Sequence, residues 1–179
     1  MPMVESIIVT GAPFSGKTTL AKVLAEQFGW KYFSIEESWR LEWKRKYPKG
    51  DTSFDNYMLQ TTDAEHRAMD KMAHGIVMGG HVVADLRYGF LHRDPRVLIV
   101  FTTCGIDERV KRALEKKAYP SRDFVQVKEI LEQEDRDQAD RCIALYETDF
   151  RDPKNYDMEF DTTDTPPDAA IERIMSLRE

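Results

Sequence analysis

Cysteine is scarce in this sequence, and long apolar runs are absent. Cys104 and Cys142 are the two thiols, far apart and outside any C-x-x-C pair. Neither a disulfide framework nor a cysteine zinc site is expected from them, and both read as reduced thiols. The four histidines, His66, His74, His81 and His92, show no ligand spacing such as H-E-x-x-H and read as helix-surface or loop residues. No apolar stretch approaches the roughly 20 residues that span a bilayer, and the mean hydropathy is −0.56. Met1 to Glu5 carry neither a basic region nor an apolar core, so no leader is read there and a cytoplasmic location is expected. Positive charge is not in excess either: the net charge is −6 and the pI is near 5.3. That speaks against a nucleic-acid polymer or an anionic membrane as partner. It leaves room for a locally basic pocket that takes a small phosphate compound. There is no internal repeat, no low-complexity tract and no second domain boundary. A chain of 179 residues, 41% apolar and 32% charged, suits one α/β domain.

What the sequence does have is Gly11-Ala12-Pro13-Phe14-Ser15-Gly16-Lys17-Thr18, followed by Thr19. This fits G-x-x-x-x-G-K-[ST], and it stands between an apolar run, Ile7-Ile8-Val9, and a helical pattern. Glycine at the two fixed positions allows backbone angles and close approach that a Cβ would block. The amides from about Ser15 to Thr18 then point into one concavity at the positive end of the following helix. Lys17 can reach terminal phosphates, and the Thr18 hydroxyl can hold Mg²⁺. Phe14 is bulky for such a loop, and its ring is expected to face outward, toward an acceptor.

Strand and helix patterns alternate along the chain. Val4 to Thr10 reads as a buried strand, and Lys17 to Phe28 as a helix stopped by Gly29. Lys31 to Ser34 is a short strand, and Ile35 to about Lys46 a helix capped by Ser34, with Glu36 and Glu37 in its first turn. A short helix from Ser53 to Met58 and a longer one from Asp63 to Met78 follow. The second carries Ala64, Ala68, Met72 and Ile76 on one side, with Met69, Met72 and Met78 as core filler. His81 to Asp85 is a third strand, Leu86 to Arg96 a loop, and Val97 to Thr102 a strand that is apolar and β-branched without alternation. Asp107 to about Lys117 is helical. Phe124 to Tyr146 is a long charged helix, interrupted near 135–140, and Tyr156 to Asp161 a last strand before a helix from Asp168 to about Leu177. The alternation implies a parallel sheet with helices on both faces.

The loop alone says nucleotide, and three classes compete for it. A GTPase needs D-x-x-G and an N-K-x-D base reader, and neither is present; Asp85 to Gly89 has one residue too many. A motor-type ATPase has an apolar strand ending in adjacent acids, where this chain has Asp85-Leu86. A small-molecule kinase needs arginines to grip a second anion and a basic lid over the transferred group. Arg40 follows the second strand and Arg87 the third, just past Asp85, at strand ends where open α/β sheets bind ligands.

These segments resemble the nucleoside monophosphate kinases of the P-loop kinase superfamily, most closely the compact cytidylate kinases, over nearly the whole chain. The resemblance rests on the opening through Thr19, on Phe33 to Arg40, on Val82 to Arg87, on Asp107 to Arg112, and on Arg141, Tyr146, Asp149, Tyr156-Asp157 and Asp161 to Thr163. It implies a three-layer α/β fold over residues 1–179 with a five-stranded parallel sheet, a monophosphate-binding helical insert at about 36–75 and a lid at about 118–140. It implies transfer from ATP, with Mg²⁺, to a nucleoside monophosphate, CMP or dCMP first, by a monomeric enzyme. Gly11 to Thr19 would then bind ATP, with Arg109 and Arg112 beside the adenine. Arg40, Asp85 and Arg87 would take the acceptor, Thr18 and Asp85 the metal, and Lys17, Arg87, Arg136 and Arg141 the transferring charge.

The chain departs from the family pattern at Glu134, where the lid usually has an arginine, with Arg136 out of register and Arg122 as a substitute. Cys142 stands for a frequent tyrosine, and segment 47–62 does not align. Two other readings stay open. One is a kinase of shikimate or gluconate type, with an acid near Asp85 as base. The other is a non-catalytic nucleotide-binding regulator.

Overall fold

The computed structural model describes residues 4–178; Met1, Pro2 and Met3, which carry part of the N-terminal reading, and Glu179 lie outside them. Five strands run β1 Ser6–Gly11, β2 Lys31–Ser34, β3 Val82–Asp85, β4 Val97–Thr103 and β5 Met158–Asp161. Seven helices alternate with them: α1 Lys17–Phe28, α2 Ile35–Lys46, α3 Phe54–Gln60, α4 Asp63–Met78, α5 Ile106–Glu115, α6 Phe124–Tyr146 and α7 Pro167–Arg178. Local chemistry sets many of these ends. Gly29 closes α1 at φ 62°, its N–H reaching back to Ala25 and Glu26. Ser34 caps α2 by accepting from the Glu37 amide. Thr62 with Glu65, and Asp123 with Gln126, form reciprocal caps at the starts of α4 and α6.

All the strand pairs are parallel, in the order β2-β3-β1-β4-β5. The order reverses at β1, so the crevice between the C-terminal ends of β1 and β3 is the natural ligand position. One face of the sheet packs Ile7, Val9, Val83 and Val100 against Leu20 and Leu24 of α1 and Ile174 of α7. The other packs Ile8, Ala84 and Ile99 against Ala73 and Val77 of α4 and Ala139 and Cys142 of α6. A satellite cluster of Val110, Ala113, Val127 and Leu131 joins α5 to α6.

Three expectations are corrected. The stripe Ala64, Ala68, Met72 and Ile76 is the exposed side of α4, with Met72 at 42% and Ile76 at 37%. The buried side carries His66, Ala73 and Val77, so a polar ring sits where an apolar one was sought. Helix α6 continues through 135–140 without interruption, because Val127, Leu131, Ala139, Cys142 and Leu145 keep one buried face in phase. His66 and His92 are buried, not superficial.

His92 gives the fold a pH dependence. It is 2% exposed, and burial together with His74, whose Nδ1 lies 3.4 Å from its own Nδ1, pushes its imidazole down to about 4. Between that value and the unfolded value near 6.5 the unfolded chain binds a proton that the folded chain refuses, so stability falls as pH falls. The expected loss from pH 6.5 to 4 is on the order of 2–3 kcal/mol. Urea titrations at several pH values check this: His92→Gln should flatten the pH dependence across that window, and an unchanged slope would exclude His92 as its source.

Candidate active site

The segment after β1 turns back on itself because its residues cannot do otherwise. Gly11 has φ 151°, and a Cβ there would lie 2.3 Å from Thr102 Oγ1 and 2.4 Å from the Thr102 carbonyl oxygen. Gly16, at φ 84°, starts α1. Between them the carbonyls point away from the concavity and are taken up behind the loop. Arg109 Nε donates to Pro13 O at 2.8 Å, Arg112 Nη1 to Phe14 O at 3.4 Å, and Thr162 Oγ1 to Ser15 O at 2.7 Å. Ser15 Oγ, fully buried, shares a 2.7 Å hydrogen bond with Thr102 Oγ1. Ser15 donates its own amide to Ala12 O at 3.2 Å, so the amides left for an anion are those that follow it, at the start of α1, and not the Ser15 amide expected from the sequence.

Lys17 and Thr18 open α1 beside the end of β3. Thr18 Oγ1 donates to Asp85 Oδ2 at 2.5 Å, and the Tyr32 hydroxyl donates to the same oxygen at 3.4 Å. Asp85 is 5% exposed. Burial raises its carboxyl above the ordinary value, while Lys17 and the Thr18 hydroxyl pull it back. The Lys17 ammonium is lowered first by burial, then by Arg87 and Arg109, and held up by Asp85 and Glu36. Tyr32 is pushed up to about 12 by burial and by Asp85.

The Thr18 and Asp85 oxygens are hard donors within one hydrogen bond of each other. Among the described residues no group of three or more His, Cys, Asp or Glu could hold a metal by itself. That suits Mg²⁺, which takes one or two protein oxygens and completes its octahedron with phosphate and water. It does not suit an ion caged by protein alone.

The arginines divide into two sets. Arg109 is 5% exposed and makes paired bonds of 2.7 and 2.9 Å to Asp135 of α6 besides its bond to Pro13. Arg112 holds Thr162 O at 2.6 Å, Thr162 Oγ1 at 3.0 Å and Glu108 at 3.1 Å. Both brace the loop from behind, and Arg112 also lines a cavity of about 260 Å³ with Gly16, Thr19, Lys116, Phe160, Thr162 and Pro167.

The second set faces the crevice. Arg87 follows Asp85, and its backbone is fixed by Thr10 Oγ1 donating to its carbonyl at 2.8 Å. Its guanidinium is exposed and makes no hydrogen bond or ion pair among the described residues. Its charge nonetheless acts on Lys17, His66, Asp70 and Glu134, so it lies within electrostatic reach of all four. Arg141 of α6 reaches the same space, its Nη1 3.2 Å from His66 Nε2. Arg40 pairs with Glu36 at 2.8 Å and lies over the Phe54 ring, at the rim. Arg136 is on the outer side of α6, bonded to Gln133 and exposed, and stays apart from the others.

Phe14 corrects its expectation. At φ 60° it sits in the left-handed region, unusual for a bulky residue. Its ring turns to the donor side, packing on the α5–α6 cluster 6.2 Å from the Tyr119 ring and forming a wall of the 260 Å³ cavity. The aromatics of α2 and α3 pack on one another and on α4, Trp39 on Tyr57 and His66, and Trp43 on Phe54. Sequence reasoning gave no functional role to His66, whose Nε2 meets Arg141, or to Asp70, which accepts from the Tyr146 hydroxyl. The i, i+4 step between them was hidden by the more apolar stripe beside it. Glu134, noted only as a departure, accepts from the Tyr119 hydroxyl at 2.9 Å, and burial raises its carboxyl despite Arg109 and Arg87.

Comparison with known proteins agrees with this geometry. The model of the cytidylate kinase-like family matches residues 7–164. The chain is 27% identical over 171 residues to a Methanocaldococcus jannaschii protein provisionally named an adenylate kinase, covering 94% of this chain and 83% of that one. It is 24% identical over 169 residues to the cytidylate kinase of Sulfurisphaera tokodaii, covering 90% and 88%. Among solved structures, shikimate kinase from Acinetobacter baumannii in complex with shikimate superposes with a TM-score of 0.62 at 15% identity, covering 97% and 92%. That likeness is one of fold.

Proposed function

Given that the chain belongs to the cytidylate kinase-like family, we propose that this P-loop kinase moves the γ-phosphoryl group of ATP to the phosphate of a nucleoside monophosphate, CMP or dCMP before others. The observation that carries the reading is Arg87: an unpaired guanidinium at the end of β3, close enough to Lys17 to depress its ammonium. An unpaired guanidinium beside a lysine whose charge Asp85 partly balances suits two anions that must approach each other. No protein nucleophile is required. The acceptor oxygen attacks phosphorus in line while Lys17 and the loop amides hold the donor phosphates. Mg²⁺, when bound, would sit on Thr18 with Asp85 behind it and draw charge from the phosphate oxygens. Arg87 holds the acceptor, and Arg141 completes its grip.

Release of ADP measured with CMP, dCMP, UMP, AMP, shikimate, gluconate and no acceptor tests the reading. Turnover should require a monophosphate, and Arg87→Ala should raise the KM for it at least tenfold, the scale of a lost charge-assisted hydrogen-bond pair. A second reading has its own observation. The Glu36 carboxylate, paired with Arg40 at the rim, also acts on Lys17 and Asp85, and a carboxylate near them supports a reading in which an acid serves as base for a hydroxyl acceptor. Turnover with shikimate or gluconate alone would select that reading. Absence of turnover with every acceptor would select a non-catalytic nucleotide binder, the role that Glu134 in the lid favours.

A further inference from the structure

His66 is caught in a hydrogen-bond conflict. Its Nε2 lies 2.9 Å from Thr61 Oγ1 and 3.2 Å from Arg141 Nη1. Thr61 Oγ1 is also 2.6 Å from the Met58 carbonyl oxygen, which can only accept. The Met58 carbonyl also accepts from the Thr61 amide at 3.3 Å, but the hydroxyl contact to it is the shorter of the two, so the single hydroxyl proton of Thr61 is assigned to Met58 and Thr61 then has only lone pairs to offer His66. Arg141 has only N–H groups to offer. A bare Nε2 satisfies Arg141 and faces a lone pair of Thr61. A protonated Nε2 satisfies Thr61 and faces the guanidinium. The three contacts are never satisfied together while Arg141 is present.

The surroundings decide which contact loses in the empty site. The ring is 9% exposed and packs 5.0 Å from Trp39 of α2. The charged groups acting on it are Arg141 from α6, Arg87 after β3, and Asp63 and Glu65 from the first turn of α4. Burial and the two arginines disfavour the imidazolium, so the ring is neutral, and the adjacent guanidinium favours a lone pair on Nε2. Arg141 is otherwise on the exposed side of α6 and makes no other hydrogen bond or ion pair among the described residues. Without His66 it would extend into solvent.

We infer that His66 is a positioning residue: its bare Nε2 holds the Arg141 guanidinium over the crevice while the acceptor site is empty and gives it up to an incoming phosphate monoester. Departure of Arg141 then lets Nε2 carry a proton and donate to Thr61, which removes the conflict. That proton comes from Nδ1 of the same ring through solvent, or from solvent itself, so nothing is oxidised or reduced. The identity of the monoester rests on the kinase reading above; the contest between Arg141 and Thr61 for Nε2 does not.

The test reads the ring directly. Long-range ¹H–¹⁵N correlation spectra report which imidazole nitrogen carries the proton, and with four histidines in the chain the His66 signals are assignable by substitution. In the free protein at neutral pH, His66 Nε2 should be bare. In Arg141→Ala, with no ligand present, it should be protonated. A protonated Nε2 in the free wild-type protein, or a bare one in Arg141→Ala, overturns the inference. This arm fails or holds whatever the protein phosphorylates. Addition of CMP should convert the wild-type signal to the protonated form; CMP seen bound through other shifts, with Nε2 still bare, overturns the hand-over. Absence of CMP binding counts against the nucleotide reading, and the Arg141→Ala spectra still decide the inference. In turnover, His66→Leu should raise the acceptor KM about tenfold with kcat within about threefold, and His66→Gln, which can accept and donate, should recover most of the loss. Unchanged KM in a folded His66→Leu protein would reduce the histidine to packing.

Discussion

Replacing Lys17 by alanine is expected to lower kcat/KM by about 30- to 1,000-fold, the equivalent of about 2–4 kcal/mol of transition-state stabilisation. The size follows from where the ammonium sits. It is half-buried at the first residue of α1, where Asp85 and Glu36 favour its charged form against the burial and the two arginines that disfavour it. A charge held in a fixed, partly desolvated position costs little rearrangement when negative charge develops on the transferring group, which makes it worth more than the same charge in water. Alanine also leaves the Asp85 carboxylate without its nearest cation, so the carboxyl rises further and becomes a poorer partner for Thr18 and Mg²⁺. Coupled ADP-release rates, with circular dichroism to show that the variant is folded, measure the effect. Near wild-type turnover would remove Lys17 from the mechanism.

The largest loss of stability is expected from Gly11→Ala. The added Cβ would meet Thr102 Oγ1 at 2.3 Å, the Thr102 carbonyl at 2.4 Å and Ser15 Oγ at 2.8 Å. Two of those atoms belong to the buried pair that ties the loop to β4, and one is backbone, so none can swing aside. The φ of 151° adds strain of its own. Overpacking and backbone strain together amount to about 4–5 kcal/mol, or a melting temperature lower by roughly 8–20 °C in a domain of this size. Gly75→Ala supplies the contrast. It lies within α4 with nothing within 4 Å of a new Cβ. The helix should gain about 0.5–1 kcal/mol there. Differential scanning calorimetry of the two variants gives opposite signs if the local geometry is the cause; a drop of similar size in both would discredit it.

Most of the fold is legible in the sequence because its ends are written in short-range chemistry. Gly29, Ser34 and the Thr62–Glu65 pair stop or start helices by hydrogen bonds that reach only a few residues. The unbroken apolar run Val97 to Phe101 makes β4 recognisable as a strand covered on both sides. The same is true of the phosphate loop, whose spacing is its own evidence.

What is not legible depends on partners distant in sequence. The apolar stripe of α4 faces solvent, since Ala73 and Val77 fit closely under the sheet face and the larger Met72 and Ile76 do not lie on that side. Phe14 turns to the donor side because α5 and α6, a hundred residues later, provide the apolar surface there. Arg109 and Arg112 share one helix face with other charged residues, and only the fold reveals that their targets are the carbonyls of Pro13 and Phe14. Arg136 and Arg141 look alike in sequence, yet the helical turn sends one outward to Gln133 and the other inward to His66.

The carbonyl ties behind the phosphate loop have a thermodynamic consequence. A free loop that must assume one backbone conformation on meeting its ligand loses about 1–2 kcal/mol of conformational freedom per residue. Here Pro13, Phe14 and Ser15 are already anchored through Arg109 and Arg112 to α5, which Asp135 ties to α6, and through Thr162 to the segment just after β5. That entropy is surrendered once, during folding, and is not charged again at each encounter with a nucleotide. The consequence is a loop whose affinity for phosphate is set by the anion and its desolvation, and in which a mutation at Thr162, a residue that need not touch the ligand at all, weakens binding by returning disorder to the empty state.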